Sequence, residues 1–394
     1  MTYTAAKRKL SLELVAMFPF VLLGKLAGIL FPLKTKHRAF LFFPNGDIGG
    51  SPQVNIDLTH CIRDKSPLVI FTKKAGNNLF RERYNIDGVR VLDIHKYVDN
   101  KIFHFVNFFF RGVLSVWINR QEKAVVFGGE CIFFYKMLPH LQRDVHCVEL
   151  CHLPTWLPYS IGFIDRIDIR VFSTEKLKEQ VEEQYLNNKL APLYFKKLFF
   201  IDNAIDIPPY EPPANDLLQV YFIGRGAVQK RVHLVAAIAE AIHKKAMPVK
   251  FNFVGDVDKV ISQSAYPYCR FYGNVKGDDA MKRIYEEADV LLLTSAFEGL
   301  PIVVMQMMAF GKVVVSTAVN GIPDYIYHRE NGLLISATDE AAIVSEGAGY
   351  IEMLANDRDM LVKLGKKSRE IAIQKFSKEA FCSGYRKLLM LDAD

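Results

Sequence analysis

Short runs of consecutive apolar residues recur along the chain, each bounded by glycine, proline or charge. In the first half they are AFLFFP (Ala39 to Pro44), PLVIFT, VRVLDI, KAVVFGG, HCVELCH, IRVFST and KKLFFIDNAID. Runs this short, with little polar alternation, predict strands buried on both faces, as in parallel sheets. The charged stretch EKLKEQVEEQYL (Glu175 to Leu186) predicts an exposed helix. Four prolines then fall between Pro208 and Pro213. Proline supports neither a ladder nor a helix interior, so residues 208–216 predict a linker. Beyond it the alternation restarts: strand QVYFIGR, helix KRVHLVAAIAEAIHKK, strands VKFNFVGD and CRFYGNV, helix GDDAMKRIYEEA, strands DVLLLTS and VVVST. Strands alternating with helices on both sides of a linker predict an α/β chain of two Rossmann-like domains, residues 1–207 and 217–372, facing each other across a cleft. Ligands of open parallel sheets bind at the carboxyl ends of the strands.

A length of 394 residues suits two domains better than one core, and half the residues are apolar with no low-complexity tract. The net charge of +7 is concentrated at the start, where residues 1–50 hold seven Lys/Arg against two acids. The same region carries LELVAMFPFVLLGKLAGILF, whose longest uncharged apolar run, Leu14 to Gly24, falls short of the ~20 residues of a membrane span. A basic start and short apolar core fit a signal peptide, but no small-x-small cleavage site follows. Two readings of residues 1–33 stay open: an amphipathic segment lying on an anionic membrane surface, and a helix packed on the first domain. The aromatic run Lys101 to Trp117 likewise reads as a buried helix or as a surface for a lipid-linked acceptor. The six cysteines sit mostly inside apolar runs and are expected to be reduced, buried thiols. HCVELCH lacks the paired spacing of a zinc site. The basic N-terminus accounts for the positive charge, so nothing points to nucleic acid.

Candidate chemistry concentrates in SAFEGLPIVVMQMMAFGK. Glu298 follows a strand and so lies at a sheet's carboxyl edge. Pro301 suits a first helical residue, and the N–H groups of Gly299, Leu300 and Ile302 would then face an anion. A carboxylate beside an anion site makes sense if Glu298 grips neutral hydroxyls while the helix start takes a phosphate; capping alone is the rival reading. In FIGRGAVQKR, Arg225 and Lys230 follow another strand, and two cations at a strand end suit a diphosphate, against the rival of a solvated basic turn. Asp256 and Asp258 in GDVD read as turn and capping residues.

These pieces, with FNFVGD, RFYGNV and NGIPDYI…ENGLLI, make residues 218–335 resemble the donor half of a GT-B glycosyltransferase of the retaining glycosyltransferase family 4. FIDNAID resembles that family's close of the first domain, and QKFSKEAFCSGYRKLL (within residues 373–394) its final helix crossing back. The resemblance implies transfer of a sugar from a UDP- or GDP-sugar, without cofactor or metal. The acceptor would be a glycan or lipid-linked molecule of the cell envelope, met at the inner face of the plasma membrane. Glu298 matches the first carboxylate of the family's E-x7-E motif, which contacts the donor sugar. Gln306 stands where the second carboxylate binds the ribose diol. Arg225 and Lys230 would hold the diphosphate, and Asn274 and Val275 would lie beside the base. Gly49 and Gly50 occupy the place of the family's glycine-rich loop, although the usual residues after the double glycine are absent. His152 falls where a histidine often stands near the sugar, a structural role being its rival. The alternatives are an epimerase on the same fold and a non-catalytic nucleotide-sugar-binding or scaffolding subunit, the latter because of Gln306.

Overall fold

The computed structural model describes residues 2–392 apart from Ile48, residues 101–103, Pro213 and Gly299. The chain divides into two units. Unit 1 comprises the residues up to Ala204 together with those from Phe381 onward; unit 2 is Ile205–Ala380.

Unit 1 contains α1 (Tyr3–Leu30), β1 (Ala39–Phe43), α2 (Gly50–Cys61), β2 (Leu68–Phe71), β3 (Arg90–Asp93), α3 (His95–Val98), α4 (His104–Asn119), β4 (Val125–Gly128), α5 (Ile132–Met137), β5 (His146–Cys151), α6 (Leu157–Ser160), β6 (Ile169–Phe172), α7 (Glu175–Asn187), α8 (Pro192–Phe195) and β7 (Leu198–Phe200). The strands form one parallel sheet in the order β3-β2-β1-β4-β5-β6-β7. Its central strands are buried along their whole length, which is why their sequences show little alternation. In β1, Phe40 and Phe42 pack into one layer with Leu68, Leu114 and Phe134. Leu41 and Phe43 pack into the other, with Leu58, Val69 and Phe127.

Unit 2 contains β8 (Leu218–Ile223), α9 (Val232–Lys244), β9 (Val249–Val254), β10 (Arg270–Gly273), α10 (Asp278–Glu287), β11 (Val290–Leu293), α11 (Ile302–Ala309), β12 (Val313–Thr317), β13 (Gly332–Ile335), α12 (Glu340–Asn356) and α13 (Arg358–Phe376). Its parallel sheet runs β10-β9-β8-β11-β12-β13. Both sheets therefore reverse direction of growth once, between β1 and β4 and between β8 and β11. Crevices open at such switch points. The last helix, α14 (Lys378–Leu388), adds Phe381, Tyr385 and Leu389 to the second layer of unit 1.

Two expectations are corrected. The cysteines are not all reduced: Cys61 at the end of α2 and Cys382 in α14 form a disulfide across 321 residues of sequence, while Cys131, Cys147, Cys151 and Cys269 are free and buried. Sequence spacing carries no trace of a pair that only the return of α14 brings together. Nor is the N-terminal segment amphipathic. Helix α1 runs 28 residues and is apolar on both faces. One face packs on α4 with backbone-to-backbone closeness: a Cβ on Gly24 would lie 2.0 Å from the Phe109 carbonyl oxygen, and one on Gly112 2.2 Å from that of Val21. The opposite face is exposed. The helix is pinned to unit 1 by an ion pair of Lys7 with Asp165, by Tyr3 donating to Asp165 (2.7 Å), and by Glu13, which pairs with Lys136 and Arg111.

Candidate active site

The loops after β8 and β11 flank the switch point of unit 2, and the chain stitches them together. After β8 the backbone turns through Arg225 and a short 3-10 turn, Val228–Lys230, into α9. Arg231 adopts a left-handed conformation (φ 44°), which frees its guanidinium to reach back. Its Nε donates to the Thr294 carbonyl (2.7 Å) and its Nη2 to that of Ser295 (2.8 Å), capping the end of β11. Gln229 donates to the Phe297 carbonyl (2.7 Å) and accepts the Ala296 N–H on its own carbonyl (2.8 Å). Thr317, at the end of β12, donates to the Ser295 carbonyl (2.7 Å).

This scaffold brings Lys230 and Glu298 into direct contact. Lys230 Nζ donates to Glu298 Oε1, and both side chains are nearly buried, 13% and 7% exposed. Glu298 is therefore the counter-ion of a lysine rather than a helix cap. Arg225 is exposed and has no side-chain partner among the described residues. Of the two expected cations, Lys230 is held by Glu298 and Arg225 is exposed. The start of α11 differs in detail from expectation: Pro301 is the cap residue (φ −66°, ψ 137°) and Ile302 the first helical one. The Val304 N–H donates to the Pro301 carbonyl (2.9 Å). Leu300 is half-buried and Ile302 exposed; Gly299 lies outside the described residues. Gln306, on α11, is half-buried. Asn274 is exposed and Val275 half-buried after β10, where Gly273 takes a positive φ of 64°. Asp256 accepts the Gly226 N–H (3.1 Å) and pairs with Lys259 (2.5 Å), a turn-forming role that steadies the loop after β8.

Unit 1 has its own site at its own switch point. A cavity of about 50 Å³ is lined by Pro44, Asn45, Ser51, Pro52, Asn55, Gly129, Glu130, Leu150 and His152. They come from the loops after β1, β4 and β5, from the first turns of α2 and, with Leu150, from the end of β5 itself. His152 carries a buried Nε2 with no hydrogen-bond partner among the described residues, and burial pushes its pKa down to about 4, so the ring is neutral near pH 7. Glu130, which sequence reading missed, follows β4 in a left-handed conformation (φ 53°). Its Oε1 accepts the His152 N–H (2.8 Å), and burial raises its pKa above the usual carboxylate value. Gly49 caps α2 in extended backbone and Gly50 begins it. A Cβ at Gly50 would meet nothing within 4 Å, so packing within the chain does not require glycine there. Asp47 is committed to the loop itself, accepting the N–H groups of Gly76, Asn77 and Asn78 at 2.8–2.9 Å.

Residues 218–352 match the model of the family described as Glycosyl transferases group 1. The putative colanic acid biosynthesis glycosyltransferase WcaL of Escherichia coli K12 is 24% identical over 183 residues, 43% of this chain and 44% of that protein. The poly(ribitol-phosphate) alpha-N-acetylglucosaminyltransferase of Staphylococcus aureus is 27% identical over 198 residues, 49% of this chain and 39% of that protein. The chain spans less than half the length of the first curated relatives it matches. Among solved structures, Anabaena HepE in complex with UDP and glucose superposes with a TM-score of 0.61 at 16% identity, covering 90% of this chain and 99% of that one. TarM gives 0.65 at 14%, with 90% and 99% covered. At such identities the likeness concerns the fold, which is GT-B: two parallel-sheet α/β domains.

Proposed function

We propose, from the match of residues 218–352 to the glycosyl transferases group 1, that the chain moves a sugar from a nucleotide-diphosphate donor onto a glycan or lipid-linked acceptor of the cell envelope. The single observation that carries this reading is the Lys230–Glu298 pair at the switch point of unit 2. It offers an ammonium for a diphosphate and a carboxylate for sugar hydroxyls in direct contact with one another. Arg225, which is exposed, closes on the second phosphate when donor arrives. The ribose diol falls to Gln306, whose carbonyl oxygen accepts a hydrogen bond without charge. Asn274 and Val275 flank the base. Unit 1 takes the acceptor: its cavity holds a neutral histidine and a carboxylate but no lysine or arginine, which favours hydroxyls over phosphates.

In the transfer, the bond from the anomeric carbon to the diphosphate oxygen breaks and a bond to the acceptor oxygen forms. Lys230 and Arg225 stabilise the charge that develops on the departing diphosphate. The acceptor's proton passes to the leaving phosphate oxygen, with retention at the anomeric carbon. No metal or cofactor takes part in this scheme. The donor is a UDP- or GDP-sugar, and the reaction takes place at the cytoplasmic face of the plasma membrane. A thermal-shift screen of UDP- and GDP-sugars, followed by transfer onto envelope lipid extracts, tests the reading. A donor that stabilises the chain and is turned over supports it; nucleotide-sugar binding that Lys230→Ala and Glu298→Ala leave unchanged, with no turnover of any donor, would overturn it.

A further inference from the structure

A helix apolar on all sides is normally buried on all sides. Helix α1 is not. Leu12, Val15, Phe18, Leu23, Leu26 and Leu30 are each more than half exposed, although the face behind them is packed on α4. Single exposed leucines need no explanation, but a continuous strip along a 28-residue helix, about 42 Å long, does. Between Leu12 and Leu30 the charged side chains are Glu13 and Lys25, and both are half-buried. Before residue 39 the one acid is Glu13, and it is turned inward to Arg111 and Lys136. Exposed cations stand at both ends: Arg8 and Lys9 in the first turns, Lys34 and Lys36 just past the last.

By length and composition alone, α1 is long and apolar enough to cross a membrane. Its attachments argue against that. The N-terminal end is tied to Asp165 and Asn188, and the Phe31 carbonyl just past the C-terminal end accepts from Trp117 Nε1 (2.8 Å). Both ends are thus held on the same folded unit, and the next residues lead into β1. The helix can enter lipid only sideways. The contact with α4 suits that environment: it relies on the small residues Gly24, Gly28 and Gly112, and close packing of this kind survives where no hydrophobic drive exists between helices.

We propose that α1, backed by α4, is an in-plane membrane anchor: its exposed strip enters the hydrocarbon boundary of a bilayer, and Arg8, Lys9, Lys34 and Lys36 meet anionic headgroups at either end. The proposal rests on the membrane placement given above but not on the transfer reaction. A lipid bilayer is the occupant favoured over a second copy of the chain because the strip is flanked by like charges, which two copies would bring together and an anionic surface would neutralise.

The full chain is mixed with phosphatidylcholine vesicles, with and without about a third phosphatidylglycerol, and partitioning is measured by flotation across a salt series. Wild type is expected to bind anionic vesicles and to keep part of that binding at high salt. Phe18→Glu/Leu23→Glu, both at exposed positions, should keep its unfolding midpoint and bind on the order of 100-fold more weakly. Lys34→Gln/Lys36→Gln should lose roughly 30-fold on anionic vesicles only. An Arg8→Cys and a Lys34→Cys chain, each bound to vesicles, should react equally with an impermeant maleimide from outside. Protection of one end would show a span and overturn the in-plane arrangement while leaving membrane placement intact. Absence of vesicle binding, or a dimer broken by Phe18→Glu/Leu23→Glu, would overturn the anchor, and neither result would bear on turnover.

Discussion

Replacing Glu298 by glutamine should tighten the binding of a nucleoside diphosphate while weakening that of the nucleotide sugar. Lys230 is already neutralised by Glu298, in a setting where both side chains are nearly buried. A phosphate that reaches Lys230 comes within roughly 5 Å of the same carboxylate. Two unit charges at that separation repel by about 3 kcal/mol at an effective dielectric of 20, and by about 1 kcal/mol at the wetter margin. Glutamine keeps the shape and removes the repulsion, so UDP or GDP should bind roughly tenfold to a hundredfold more tightly. The sugar-bearing donor has a second stake in the carboxylate. A hydroxyl bonded to a charged group contributes about 1.5–3 kcal/mol, which the amide does not replace in full. Gain and loss then oppose one another, and turnover falls. Calorimetric titration with UDP, GDP and the matching sugars, at one fixed ionic strength, reads both signs. Lys230→Ala supplies the control: it should weaken diphosphate and sugar donor alike, and lower stability by up to about 3–5 kcal/mol because it strands the Glu298 charge. Weaker diphosphate binding by Glu298→Gln would refute the reasoning, since the carboxylate would then be organising the cation site and not competing for it.

The Cys61–Cys382 disulfide returns the last helix to unit 1. Roughly 140 residues of that unit lie between Cys61 and its exit at Ala204, so loop closure is worth up to about 5 kcal/mol in the chain-entropy model. Cys61→Ser, or a reductant, should lower the unfolding midpoint of unit 1; an unchanged midpoint, with a free thiol found at Cys382, would show the bond absent. Burial lowers the pKa of both His140 and His152 to about 4. Between that value and 6.5 the unfolded chain binds protons that the folded one does not. Stability contributed by these neutral rings is thus complete above pH 6.5 and declines as pH falls, by up to about 1.4 kcal/mol per unit for each histidine. Chemical unfolding at pH 7.5 and 5.5 should differ by up to about 3 kcal/mol, and His140→Phe should remove about half of the difference. A midpoint insensitive to pH in this window would contradict the assigned burial.

The strands were legible because parallel strands buried on both faces leave an unmistakable apolar run, as in AFLFF and VLLL. That Lys230 and Glu298 share one site was legible only through family resemblance, and their direct contact was not legible at all, since 68 positions of sequence separate them. Arg231 was hidden by its neighbour: two adjacent basic residues look alike in sequence, and only the left-handed turn makes one a ligand candidate and the other a brace. Glu130 did carry a signal. It closes KAVVFGGE as Glu298 closes DVLLLTSAFE, a carboxylate shortly after the fourth strand of each sheet. The shared strand order explains the repetition, because in both units the loop after that strand borders the switch point. What differs is the partner. Glu298 is paired with the ammonium of a lysine. Glu130 holds the backbone of a histidine kept neutral by burial, in a cavity lined by asparagine, serine and proline. A diphosphate placed there would find no cation, whereas a hydroxyl could both donate to the carboxylate and meet the open Nε2 of His152. The two crevices thus differ in what their carboxylate meets: in unit 2 the ammonium of a lysine that follows the first strand of the sheet, in unit 1 the backbone N–H of a neutral histidine that follows the fifth.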